Sequence, residues 1–122
     1  MLSSLETVKN ALLTVTENCG HYEAVNQEDK YIVWAEQLEE SGFSSDNVKR
    51  EHTIGGTIDY FTTDEDDAAF SAIPAALIEA GIGWNLLSVQ YEEETHFIHY
   101  QWGFFVRQYY AGAEPEAEDG TT

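Results

Sequence analysis

His96 and His99 follow the acidic run Glu92-Glu93-Glu94 within a few residues, and imidazole beside carboxylate is the donor set of a transition-metal site. The surrounding residues alternate as a strand does, however. Residues three apart on a strand point to opposite faces, so the two rings cannot close on one ion. Asp64-Glu65-Asp66-Asp67 offers the oxygens of a calcium loop, but counting from Asp64 the sixth position is Ala69, where the turn requires glycine, and no Glu stands at the twelfth. Helix capping is the better role for that run. Gly55-Gly56-Thr57 lacks the lysine of a phosphate-binding loop and lies inside a strand pattern, where glycines mark a bulge or a close backbone approach. Cys19 and His21 are the residue types of a nucleophile and its base, yet no third group is placed to orient the imidazole. With 23 Asp and Glu among 122 residues, some carboxylates meet in any fold, and their abundance identifies no acid–base pair. Trp34, Trp84 and Trp102 read as core or subunit anchors in preference to a ligand box. The expectation is a protein that is not an enzyme, with no catalytic, cofactor-binding or metal-ligating residues.

The elements that carry these residues can be traced along the chain. Ser3 and Glu6 have the spacing of a capping box ahead of Leu5, Val8, Leu12 and Val15, which predicts a first helix ending before Asn18. Tyr22 to Val25 and Tyr31 to Glu36 are β-rich around a polar turn and predict a hairpin. Leu38 to Lys49 turns polar, with Phe43 as its one large apolar group, and predicts an exposed loop. From Thr53 to Thr62 a third strand places Ile54, Ile58 and Tyr60 on one face and Gly55, Thr57, Asp59 and Phe61 on the other. After the acidic run, Phe70, Ile73, Leu77 and Ala80 have helical spacing, with Pro74 expected to kink the helix or delay its start and Gly81 to end it.

Trp84 to Arg107 predicts a final hairpin. In its second strand Ile98, Tyr100, Trp102, Phe104 and Val106 form a core face, while Phe97, His99, Gln101, Gly103, Phe105 and Arg107 form a second face of mixed large apolar and polar groups. Such a face suits a protein that works by contact. The order helix, three strands, helix, two strands predicts an α+β fold, with both helices packed on one face of a mainly antiparallel sheet. Residues 1–110 read as one domain and 111–122 as a disordered acidic tail.

A net charge of -18 with only five Lys and Arg argues against duplex DNA or an anionic membrane as a direct ligand. The lone Cys19 has no internal disulfide partner, and no apolar run approaches the roughly 20 residues of a membrane-spanning helix. A reducing cytoplasm or an indifferent compartment is expected in preference to a secretory route.

Four segments carry a resemblance: Lys30-Tyr31-Ile32-Val33-Trp34-Ala35-Glu36, Gly56-Thr57-Ile58-Asp59-Tyr60-Phe61-Thr62, Ala80-Gly81-Ile82-Gly83-Trp84 and Gln90-Tyr91-Glu92-Glu93-Glu94-Thr95, followed by Ile98-His99-Tyr100. In order and spacing, from about Val8 to Val106, the chain resembles the tail terminator, or tail completion, proteins of phages and prophages from Gram-positive bacteria, of siphophage or myophage type. The resemblance implies a structural virion protein without cofactors. It would be assembled in the host cytoplasm as a homo-oligomeric, hexameric ring that caps the tail tube, halts its polymerisation and offers the surface for head–tail joining. The implied partners are the tail tube protein and a head-completion or connector protein, with DNA passing through unbound and no membrane contact. A ring needs two unlike surfaces on each subunit, and Phe43, Phe97, His99, Gln101, Phe105 and Arg107 are the expected interface residues. Asp64, Glu65, Asp66, Asp67, Glu92, Glu93 and Glu94 are the expected acidic lining of the lumen. The alternatives are another head–tail connector or neck component, or an acidic inhibitor that mimics DNA toward a basic cleft.

Overall fold

The structure, a computed structural model, describes residues 1–40 and 51–109, and the side chains of these except at 38–40, 51 and 109. Its elements are α1 (Ser3–Leu13), β1 (Cys19–His21), β2 (Lys30–Glu40), β3 (Glu51–Thr62), α2 (Ala69–Glu79), β4 (Gly83–Glu92) and β5 (Phe97–Tyr109). This is an α+β arrangement of two helices and a five-stranded, mostly antiparallel sheet in the order β1-β2-β3-β5-β4. Leu5, Val8 and Leu12 of α1 join Ile73 and Leu77 of α2 in one buried cluster with Ile32, Trp34, Ile58, Trp102 and Phe104. Both helices therefore cover the same side of the sheet. The period-two pattern of β3 and β5 dictates this, because burying one face of each strand fixes the register between them, Ile58 opposite Trp102 and Ile54 opposite Val106.

Helix ends are set partly by local and partly by distant groups. At the end of α2, Gly81 adopts φ +76°, its N–H donates to the Ile78 carbonyl, and the Ile82 N–H donates to that of Leu77. That is a Schellman closure, and buried Ile82 supplies its apolar contact. At its start, Asp67 Oδ1 accepts the Ala69 N–H at 2.9 Å, so the acidic run does cap the helix. The helix begins at Ala69, ahead of Pro74, and the proline does not set its start.

Three expectations are corrected. The capping box at Ser3 and Glu6 does not form: Leu2 holds the N-cap position, and the Ser4 N–H donates to Gln108 Oε1 of β5 at 3.0 Å. A side chain from the far end of the chain has taken the role of the local serine. The expected hairpin of Tyr22–Val25 with Tyr31–Glu36 is instead a parallel pairing of β1 with β2, Cys19 opposite Ile32 and His21 opposite Trp34. Tyr22 at φ +76° turns the chain straight after His21, and the return passes close over Gly20, where a Cβ would lie 1.9 Å from the Glu23 carbonyl oxygen. Finally, Leu38 does not open a loop, because β2 continues through Glu40, which pairs with Thr53. A bulge at Gln37 carries the ladder past Gly55 and Gly56, and ladder bonds need only the backbone, so polar side chains do not stop the strand. The rest of the expected loop, Phe43 included, lies outside the described residues, as does the expected tail.

Candidate functional site

Among the described residues the side of the sheet away from the helices carries no covering element, and the strand register orders it in rows. Tyr31, Phe61 and His99 make one row, Val33, Asp59 and Gln101 the next, and Ala35, Thr57 and Gly103 a third. Phe105 and Arg107 continue it along β5. In the first row the Tyr31 and Phe61 rings stack at 4.6 Å, and those of Phe61 and His99 at 4.2 Å. Phe97 meets both Tyr31 and Phe61 edge-on. Packing within this row buries Tyr31 although no helix lies over it. In the second row Asp59 Oδ1 bonds His99 Nε2 at 2.6 Å and accepts the Gln101 amide at 2.9 Å. In the third row Gly103 has no side chain, and Asn85 and Leu87 of β4 lie over it, so that a Cβ there would stand 3.0 Å from Asn85 Oδ1 and 3.5 Å from Leu87 Cδ1. The face is thus an aromatic ridge, a hydrogen-bonded polar step and a glycine position overlain by β4 side chains, with Phe105 standing exposed beyond it. Relief of this kind, with aromatic rings beside hydrogen-bonded polar groups, suits contact with another protein surface.

Phe97, His99, Gln101, Phe105 and Arg107 all lie on this face, so the structure brings together the expected interface residues that it describes. Tyr31 and Phe61 stand on the same face, and their stacking was hidden because contacts across strands appear only once the register is known. The expected acidic residues also gather. Asp64 to Asp67 follow the end of β3, Glu92 to Glu94 turn from β4 into β5, and Glu28 and Asp29 precede β2, where Thr62 pairs with both Lys30 and Ile98. All of these stretches occupy one end of the sheet. Lys30 Nζ stands among them, 3.6 Å from Asp64 and 3.7 Å from Asp67. Burial first, then the charges of Asp67 and Glu65, push the Tyr100 hydroxyl up; burial and then Glu92 do so for Tyr31.

His96 and His99 are separated, as their spacing on the chain requires. His96 sits in the β4–β5 turn at φ +64°, its ring bonded to the Tyr91 hydroxyl, while His99 is held by Asp59 on the open face. On the helix side, His21 stacks on Trp34 at 4.0 Å and bonds Glu36, which also accepts the Tyr22 hydroxyl. The Cys19 thiol is pushed up to about 12 by burial, opposite to the activation a nucleophile needs.

Two carboxyls couple this architecture to pH. Burial raises the Asp67 pKa, but the Ala69 amide, the Tyr60 and Thr62 hydroxyls and Lys30 outweigh it and leave the carboxyl below its ordinary value. Burial likewise opposes the Tyr22 and His21 bonds at Glu36, and the bonds prevail. A carboxyl depressed in the folded state contributes stability that is present above the unfolded pKa, about 4 for such groups, and is lost as pH falls through the folded value. Unfolding midpoints in urea should therefore drop between pH 5 and pH 3. Asp67→Asn, which keeps an acceptor but no charge, should lose about 1–2 kcal/mol at neutral pH and make that drop shallower. An unchanged acid slope in the variant would remove Asp67 from this role.

No protein-family model and no curated protein matches the chain. Among solved structures, it is similar to a chain of "Virion of native gene transfer agent (GTA) particle", with 13% sequence identity, a TM-score of 0.47, and coverage of 88% of this chain and 92% of that one.

Proposed function

We propose that this chain is a structural subunit of a phage-like tail: a terminator that closes into a ring, caps the tail tube and presents the surface on which the head docks. The observation that carries the reading is the division of the described surface into an aromatic sheet face with no element over it and an acidic end lying beside it. A ring requires unlike patches that meet head to tail, and the open face is one of them. The acidic end is the part suited to a lumen. Carboxylates there repel the phosphates of passing DNA, with a range of about 8 Å at physiological salt, so the DNA slides without sticking. The segments that resemble tail terminators include what β2 and β3 contribute to the three rows of the open face, from Tyr31 to Ala35 and from Thr57 to Phe61.

Electron microscopy of the concentrated protein should reveal closed rings, and particles made without it should carry overlong tubes. Normal-length tails with heads attached would overturn the reading. Phe105→Glu gives a narrower test: Phe105 is exposed on the open face, so the change should leave stability within about 0.5 kcal/mol yet abolish ring closure. Rings of normal size from this variant would take the open face out of the assembly.

A further inference from the structure

Strand β4 is ten residues long, forms one edge of the sheet and is exposed along nearly its whole length. From Gly83 to Glu92 it contains no Lys, Arg or Pro, the residues by which natural sheets usually blunt an edge. Its side chains are instead apolar: Leu86, Leu87, Val89 and Tyr91 are 41%, 50%, 52% and 58% exposed. Beside it, between β4 and α2, runs an open groove of about 490 Å³ lined by Phe70, Pro74, Ile78, Trp84, Leu86 and Trp102. The opposite edge is unlike this one, being the three-residue strand β1.

We propose that β4 pairs with β4 of a second copy of this chain, antiparallel and about a two-fold axis, joining two five-stranded sheets into one. The strand is built to match itself. Its register with β5 places Trp84, Leu86, Val89 and Tyr91 on the helix side, and Asn85, Ser88, Gln90 and Glu92 on the open side, with the bulge falling at Leu87. Leu87 lies over Gly103, on the open side as well. An axis between Leu87 and Ser88 then sets Trp84 against Tyr91 of the second copy, Leu86 against Val89, and Asn85 against Gln90. Each pair shares a side and a chemistry. The bulge makes this possible, because it reverses the alternation at the middle of the strand and so gives both halves mirror-related facing.

Area and charge favour the same occupant. Taking about 150–200 Å² for each large apolar side chain, Leu86, Leu87, Val89, Tyr91, Phe70 and Ile78 leave on the order of 500 Å² uncovered per subunit. A symmetric joint would remove on the order of 1,000 Å², where specific interfaces begin. Antiparallel pairing also sends the Glu92–Glu94 turns of the two copies to opposite ends of the joint, whereas parallel pairing would press them together. The joint uses a single edge and leaves the open face free, so it stands independently of the ring.

In the Phe105→Glu background, where the ring does not close, light scattering at high protein concentration should give twice the 13.7 kDa subunit mass, and adding Val89→Lys, at a half-exposed site, should restore the single-subunit mass with an unchanged thermal midpoint in dilute solution. A Phe105→Glu protein that stays monomeric at high concentration, or a dimer that Val89→Lys leaves intact, would overturn the proposal. Ser88→Cys tests the symmetry itself in whatever assembly forms. Across the axis two copies of position 88 are diagonal neighbours, about 6 Å apart between Cα atoms, within disulfide range. A Cys19→Ser background leaves the introduced thiol as the only one that can pair. Oxidation should give covalent pairs, and their absence would sink the two-fold joint even where the protein is oligomeric.

Discussion

Gly56→Ala is expected to destabilise the protein by about 3–5 kcal/mol, a large share of the stability of a domain of this size. The added Cβ would lie 2.2 Å from the Ala35 carbonyl oxygen and 2.6 Å from two ring carbons of Phe104. The ring is fully buried, and the carbonyl belongs to β2 beside its bulge, so neither can simply swing aside. Thermal unfolding should shift down by about 10–25 °C, at several degrees per kcal/mol. Trimming the ring in Gly56→Ala/Phe104→Leu should not restore the loss, because the backbone contact persists. A single variant melting within a few degrees of wild type would mean that β2 and β3 can separate locally at low cost, and would weaken the case for a rigid open face on their other side.

The glycine pair illustrates what the sequence makes legible. A glycine inside a period-two pattern signals a close approach, and Gly56 is one; what it cannot specify is that the bulge sits in the partner strand at Gln37. The alternation from Ile98 to Arg107 could be read directly, because burying one face makes the period strict, and with it came five of the six expected interface residues on one face. Phe43, the sixth, lies outside the described residues. Long-range choices were hidden. Gln108 replaces the local cap at Ser4 across 104 residues of chain, and nothing near Ser3 announces it. The parallel pairing of β1 goes with a positive φ at Tyr22, a residue whose type favours extended strands and so announces no turn there. The bulge at Leu87 leaves no mark on composition, yet it decides which of the β4 side chains share a face.

Trp34→Ala is the second large effect, at about 3–5 kcal/mol for an aromatic side chain that is 1% exposed. Its consequence reaches beyond the cavity. Strand β1 has three residues, too few to persist by ladder bonds alone, and it is held by side chains: His21 stacks on the Trp34 indole, and both His21 and Tyr22 bond Glu36. Removing the indole takes away the platform on which His21 lies flat, so the β1 amides should lose protection from hydrogen exchange well before the rest of the sheet opens. Trp34→Phe, which keeps an aromatic face, should retain that protection and lose much less stability. If Trp34→Ala unfolds more easily but β1 stays protected until global unfolding, then Glu36 and the backbone bonds to Trp34 and Asn18 anchor the strand without the ring. The edge-on contact of Trp34 with Phe104 adds a coupling to the first prediction: Gly56 and Trp34 press on the same ring, so their combined loss should fall short of the sum, whereas strict additivity would show that Phe104 transmits nothing between them.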